Sequence, residues 1–343
     1  MTTNKRNLVL GVAAGLVVLA AVVSGLRRPP STLLQRARKV ATVGAWDVKH
    51  DNYFWLSDRE ALLVMQGTGP GDENGPPLAV GRVGAATGGV TADTALEARL
   101  HGYARGGVPG WQLSPDARWL LCHGHARSWA AVRLDGPGLV TRPFQDSASG
   151  EVASLTAWLP DSRSWVQAVQ EEGMTHHYLY RLDTPRVADH VGRFGLDGLE
   201  VIGFYSPTRL LTVMRRTGDG GGISMADYDA LSPATSPRFY IQHVPANMDV
   251  QQVVLSPDRN RLAWKFTVKP LPLGLKATIN SGYVRRSSPV AAGLWVSDLN
   301  CNNLREIGTV DIRDDQITDL RWTPDGRRLS FIEGAALYTV PAN

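Results

Sequence analysis

Leu320–Ile332 reads LRWTPDGRRLSFI: two apolar runs around Thr-Pro-Asp-Gly. Pro324 presets φ at the second position of a β-turn, the Asp325 carboxylate can accept from nearby backbone, and Gly326 supplies a position that tolerates positive φ. Such a unit is a hairpin. Five more copies lie upstream. They are YFWLSDREALLVM (Tyr53–Met65), WQLSPDARWLLC (Trp111–Cys122), TAWLPDSRSWVQAV (Thr156–Val169), IGFYSPTRLLTVM (Ile202–Met214) and VVLSPDRNRLAWKF (Val253–Phe266). Their third turn residues, Asp58, Asp116, Asp161, Thr208, Asp258 and Asp325, are spaced 58, 45, 47, 50 and 67 residues apart. β-type patterning at such a period is the signature of propeller blades. The first copy lacks the proline, and the fourth has Thr208 in place of Asp, so its turn is expected to be held less firmly.

A third strand follows most copies, as WAAVRLDG from Trp129, HYLYRLDT from His177, GLWVSDLN from Gly293 and ALYTVPAN from Ala336. The last copy then lacks a fourth strand, which Val40–Trp46 is expected to supply as the outer strand. That pairing would hide an exposed edge. The segments Gln66–Gly89 and Thr267–Ala292 break the spacing and read as long inter-strand loops.

The 343 residues include 35 Gly and 21 Pro, and 43% are hydrophobic, which excludes a disordered chain and favours many short strands. Cys122 and Cys301 are the only cysteines, so neither a disulfide-stapled scaffold nor a thiolate-rich metal site is expected. They fall in different repeats and should not pair. The net charge is +4, but residues 1–39 alone hold seven Lys or Arg and no acid. The remainder is mildly acidic and offers no field for nucleic acid.

The basic residues flank Leu8–Leu26, a run of 19 residues without charge. As a helix it spans roughly 28 Å, the thickness of a bilayer core. The sequence therefore divides into a basic tail (1–7), a transmembrane anchor (8–26), a basic linker (27–39) and an all-β, six-bladed β-propeller (40–343). Val23-Ser24-Gly25 offers an alternative reading as a cleaved signal, opposed by Arg27-Arg28 directly after it. Counting charges favours a cytoplasmic body. The short basic tail before an apolar run favours export, and an extracytoplasmic body is the expectation adopted.

SPDARWLLC, SPDRNRLAW with LWVSDLNCNNLREIG, and TPDGRRLSFIEGAALYTV resemble the WD-like repeats of TolB-type six-bladed β-propellers, over about residues 40–343. The resemblance implies the fold. It leaves the role open, because this fold hosts many.

No G-x-S-x-G elbow and no glycine-rich phosphate loop opening a helix occurs. Cys122-His123-Gly124-His125 and His176-His177 have spacings a metal could use but read as turn residues. The repeat aspartates read as turn caps. Trp111, Trp158 and Trp322, just before the turns, read as core. No catalytic, cofactor or metal residue is assigned. The expected role is a monomeric, membrane-anchored, non-enzymatic scaffold for a protein or peptide partner. A glycan or peptide lyase or hydrolase, or a small-ligand sensor, is the alternative. Partner contacts are expected at Lys269, Lys276, Tyr283, Arg285 and Arg286, where four cations lie without an acid.

Overall fold

The structure, a computed structural model, describes residues 31–43, 53–66, 78–101, 111–124, 128–143, 155–171, 174–192, 199–214, 222–232, 238–243, 248–269, 289, 291–311 and 317–343. A short helix α1 (Thr32–Arg36) leads into strand β1 (Arg38–Thr42). The first sheet holds β2 (Tyr53–Ser57), β3 (Glu60–Gln66), β4 (Leu78–Gly84) and β5 (Val90–Ala92), followed by helix α2 (Thr94–His101). The second holds β6 (Gln112–Leu113), β7 (Trp119–Gly124), β8 (Ser128–Arg133) and β9 (Leu139–Pro143). The third holds β10 (Leu155–Trp158), β11 (Ser164–Glu171), β12 (Met174–Arg181) and β13 (Ala188–Gly192), and the fourth β14 (Leu199–Phe204), β15 (Arg209–Met214), β16 (Gly222–Asp229) and β17 (Arg238–His243). The fifth holds β18 (Met248–Leu255), β19 (Arg261–Val268), β20 (Ala291–Asp298) and β21 (Arg305–Asp311). The last strands are β22 (Thr318–Trp322), β23 (Arg328–Glu333) and β24 (Ala336–Pro341).

These make six four-stranded antiparallel sheets, five of them consecutive meanders and the sixth ordered β1-β24-β23-β22. The fold is a six-bladed β-propeller. Within blade 5 burial is greatest in the two middle strands. In the third strand of blade 5, β20, seven consecutive residues are buried, because neighbouring blades cover both of its faces. The outer strand β9 alternates exposed and half-buried residues.

Closure occurs as expected, with a shifted boundary. β1 pairs with β24 from Arg38↔Thr339 to Thr42↔Ala336, with an irregularity between Lys39 and Ala41. The Val43 amide donates to the Ala335 carbonyl at 2.7 Å. The strand begins at Arg38 because an outermost strand tolerates charged residues on its solvent face: Arg38 and Lys39 are exposed, while Val40 and Ala41 are buried. Trp46, expected within this strand, lies outside the described residues.

Blades 6 and 1 are also bonded across their faces. The Ser330 hydroxyl meets the Tyr53 hydroxyl at 2.7 Å and accepts from Trp55 Nε1 at 2.8 Å, and the Tyr53 amide donates to Asp319 at 3.3 Å.

Two parts of the sequence reading change. Gln66–Gly89 is not one loop, because β4 lies within it as the third strand of blade 1. Its glycines and missing Pro-Asp turn mask a strand whose Leu78, Val80 and Val83 are buried. Helix α2 has no counterpart in the repeat. Asp93 caps it by accepting from the Leu96 amide at 3.0 Å, and it buries Leu96 and Leu100 against the cluster around Trp111 and Leu120.

The segment before β1, read as linker, is docked. Leu33 is fully buried, Thr32 Oγ1 accepts from the Thr309 amide at 3.0 Å, and Arg36 donates to the Ile307 carbonyl at 2.5 Å. Gly308 permits this approach, since a β-carbon there would lie 2.8 Å from Leu33 backbone atoms. The apolar run 8–26 lies outside the described residues, and no described helix is long and apolar enough to cross a membrane.

Removing residues 1–30 should leave a cooperatively folding protein. Removing residues 1–47 should strip β24 of its partner, lower stability by several kcal/mol and promote aggregation. Gly308→Ala should loosen α1 and speed proteolysis at Arg36 and Arg38. Equal thermal unfolding of the two truncations would refute the closure.

Candidate functional site

The first strand of every blade stands at the axis, and together these strands line a central channel of about 620 Å³. One mouth is framed by the repeat turns, with Pro115, Pro160, Pro257 and Pro324 on its rim. Each complete turn is built alike. The Ala117 amide donates to the Ser114 carbonyl at 2.9 Å, as do Arg259 to Ser256 at 2.8 Å and Gly326 to Thr323 at 2.8 Å. The residue after the Asp sits at positive φ: Ala117 at 58°, Ser162 at 56°, Arg259 at 61° and Gly326 at 66°. Only the last copy spends a glycine there.

The repeat aspartates cap the turns, as read from the sequence. Asp116 accepts from the Ser114 hydroxyl at 2.6 Å and the Arg118 amide at 3.1 Å, and Asp325 from the Thr323 hydroxyl at 2.6 Å and the Arg327 amide at 2.9 Å. Burial opposes ionisation of Asp258 and Asp325, but the Ser256 and Thr323 hydroxyls and backbone amides outweigh it, so both carboxyls lie below their usual range. The departures are compensated. Asp58 accepts from the Asp325 amide of blade 6 at 2.9 Å, and Thr208 donates to Asp229 at 2.9 Å. Adjacent turns are also tied, by Ser162 accepting from the Asp116 amide at 3.0 Å and Arg261 donating to the Gly326 carbonyl at 2.6 Å.

Inside the mouth the walls are aromatic: Phe54, Trp55, Trp111, Trp158, Phe204 and Trp322. The three tryptophans read as core, Trp111, Trp158 and Trp322, are buried yet line the channel. Trp158 Nε1 donates to the Gln112 carbonyl and Trp322 Nε1 to the Val254 carbonyl, each at 3.2 Å across a blade boundary. Gln112 Nε2 donates to the Thr156 carbonyl at 2.7 Å.

Arg321 reaches over Phe54, 4.5 Å from the ring centre, and is paired with Asp319 at 2.9 Å. Among the described residues whose side chains border the channel, Trp111 Nε1, Thr156 Oγ1 and Arg321 Nε are buried without a partner. Sequence reasoning missed them. A signal exists for Arg321, which occupies a strand position held by Phe54, Gln112, Ala157, Phe204 and Val254 in the other copies. Asp116 is the carboxylate among the described lining residues, and its oxygens serve the turn.

Of the contact residues expected from the sequence, Lys269 is 14% exposed and paired with Asp249 at 2.7 Å. Lys276, Tyr283, Arg285 and Arg286 lie outside the described residues. His123 lies in strand β7, and His125 lies outside the described residues.

His176 and His177 are in strand β12 rather than a turn, so they point to opposite faces. His176 Nδ1 meets Asp189 at 3.2 Å, whereas His177 is buried with its Nε2 3.1 Å from the Tyr228 hydroxyl. Among the described residues no three His, Cys, Asp or Glu come together as metal ligands. Cys122 and Cys301 are free thiols, both pushed up to about 12, Cys122 by burial and Cys301 by burial with Asp298 beside it.

No protein-family model and no curated protein matches the chain. Solved structures resemble it at low identity. An oligogalacturonate lyase in complex with manganese shares 12% identity at TM-score 0.48, covering 89% of this chain and 90% of that one. A mitotic checkpoint complex chain shares 13% at 0.48, covering 92% and 96%. The tricorn protease shares 10% at 0.44, covering 84% of this chain and 29% of its own.

Burial, aided by the neighbouring His190, lowers the His177 pKa from 6.5 to about 4. The unfolded chain thus binds a proton that the folded one refuses. Stability from this group is complete above pH 6.5 and falls by about 3 kcal/mol as the pH drops to 4. Urea titrations should show this fall, and His177→Gln should flatten that part of the profile. An unchanged slope in the variant would exclude His177 as its source.

Proposed function

We propose that the chain is a TolB-like, membrane-anchored propeller that holds a protein or peptide partner at the mouth of its central channel and performs no chemistry itself. The observation that carries this reading is the channel: about 620 Å³, walled by aromatic side chains and rimmed by turns that are bonded internally and tied to one another. A concave apolar surface with a few polar groups, already formed, is the usual build of a binding site. The aspartates beside it are committed to turns, which supports binding over acid–base chemistry.

In this reading residues 8–26 anchor the protein, with the body outside the cytoplasm. Docking of Leu33 on blade 5 leaves the residues between Leu26 and Thr32 as the tether, a reach of about 20 Å when fully extended. The propeller then sits close to the bilayer, with blade 5 nearest the anchor.

The test is a photo-crosslinking side chain placed in the full-length protein in its native membrane. Ala117, on the channel rim, is compared with Leu139, exposed on the outermost strand of the same blade. A discrete adduct from Ala117 and none from Leu139 is expected. The same adducts from both positions, or none from Ala117, would overturn the reading.

A further inference from the structure

Residues 27–39 hold Arg27, Arg28, Arg36, Arg38 and Lys39 and no acid, and the first acid of the chain is Asp47. The whole chain carries +4 and residues 1–39 carry seven of its cations, so the body beyond them is net negative. Positive charge is therefore gathered where the chain enters the propeller. The fold holds it there. Leu33 is fully buried on blade 5, and Thr32 Oγ1 accepts from the Thr309 amide at 3.0 Å. Arg36 is exposed while its guanidinium donates to the Ile307 carbonyl at 2.5 Å. Arg38 and Lys39 then open β1, the outermost strand of blade 6, and both are exposed. Neither makes a side-chain hydrogen bond or ion pair with another described residue. On the outermost strand of blade 5, Arg305 and Glu306 are exposed next to each other and cancel. Arg36, Arg38 and Lys39 are thus fixed to one stretch of perimeter, at the junction of blades 5 and 6.

Charge on an outermost strand has a general use, since it discourages pairing with another chain. That use accounts for Arg38 and Lys39. It does not account for Arg36, which lies in a helix, or for Arg27 and Arg28. All five share a different property, closeness in the chain to the apolar run that ends at Leu26. Between Leu26 and Thr32 the chain reaches about 20 Å at most. The headgroup layer, roughly 5–7 Å on each side of a bilayer, takes up part of that reach. The start of α1 is then held within about 15 Å of the headgroup surface, comparable with the screening length of about 8–10 Å at physiological salt. A cation near an anionic surface adds about fivefold to its affinity for that surface.

Resting on the membrane-anchored reading above, we infer that the perimeter of blades 5 and 6 is a lipid-facing surface. Arg36, Arg38 and Lys39 lie against anionic phospholipid headgroups, and Arg27 and Arg28 extend the same contact toward the bilayer. The contact turns this edge of the propeller to the membrane and so limits the directions in which the channel mouth points. It does not depend on which side of the membrane holds the body.

The experiment uses the full-length protein in nanodiscs of phosphatidylcholine alone and of phosphatidylcholine with about one-third phosphatidylglycerol. Acetylation of Lys39 and phenylglyoxal modification of Arg38 are followed by peptide mass spectrometry. Arg163, exposed on the turn between β10 and β11 of blade 3, is the reference. Both reactions should slow at least about fivefold in the anionic discs. They should recover in roughly 1 M salt, where the screening length shortens to about 3 Å. Arg163 should react alike in both discs. Arg38→Gln should weaken the protection of Lys39. It should still unfold at the wild-type temperature, since the Arg38 side chain bonds no other described residue, and this separates loss of contact from loss of fold.

Equal reactivity of Lys39 and Arg38 in the two discs, slowing that salt does not reverse, or equal slowing at Arg163 would overturn the lipid contact and leave the cations as edge protection. Protein recovered outside discs of both compositions would overturn the anchor, and the inference with it. Protein that stays in both discs with its cations unprotected strikes the inference alone.

Discussion

The ring depends on the seam where blade 6 meets blade 1. A propeller blade hides its two faces only against neighbours, so an open ring would expose two apolar faces at once. Here the seam is closed twice. β1 supplies the outer strand of blade 6, so that one sheet contains residues from both ends of the described chain. Nearer the axis, Tyr53 and Trp55 of blade 1 converge on the Ser330 hydroxyl of blade 6, and Asp319 takes the Tyr53 amide. These groups are buried, so each bond forms where water does not compete and a missing partner would be costly. Burial holds the Tyr53 phenol protonated, with Asp319 adding to the effect, which keeps the cluster in one state.

The channel inherits its shape from that seam. Arg321 comes from one side of it and Phe54 from the other, and their stacking exists only when the ring is shut. The turns give the mouth a rigid rim, because each is bonded internally and several are tied to a neighbour. Where the motif fails, the bond is made elsewhere: Asp58 reaches the turn of blade 6, and Thr208 reaches Asp229. Repetition thus builds the frame. The distinctive chemistry lies where copies differ, at Gln112, Thr156 and Arg321 among strand positions that other blades fill with apolar side chains.

Much of the fold was legible because a proline, an aspartate and a following left-handed residue make one local structure wherever they occur. The spacing of those turns, the strands beside them and the completion of the last blade by an early segment all rest on local or periodic signals. β4 was hidden because glycines break the apolar pattern of LAVGRVG, and α2 because a single capped helix between blades has no periodic echo. The His176-His177 pair shows the same limit. Its residue types suggested a turn or a metal, but the register of β12 sends one ring to Asp189 at the surface and the other into the interface with Tyr228.

The sequence by itself determined the architecture: six copies of a hairpin, a charge-free run before them, and a mildly acidic body after it. The tertiary structure decided the site. Whether a cation is free or paired is a property of the folded neighbourhood, and Lys269 against Asp249 is the paired case. The channel wall joins residues of all six blades, from Phe54 to Trp322. No local rule links such residues, because what brings them together is the closing of the ring, and only then does a polar atom's lack of a partner become visible.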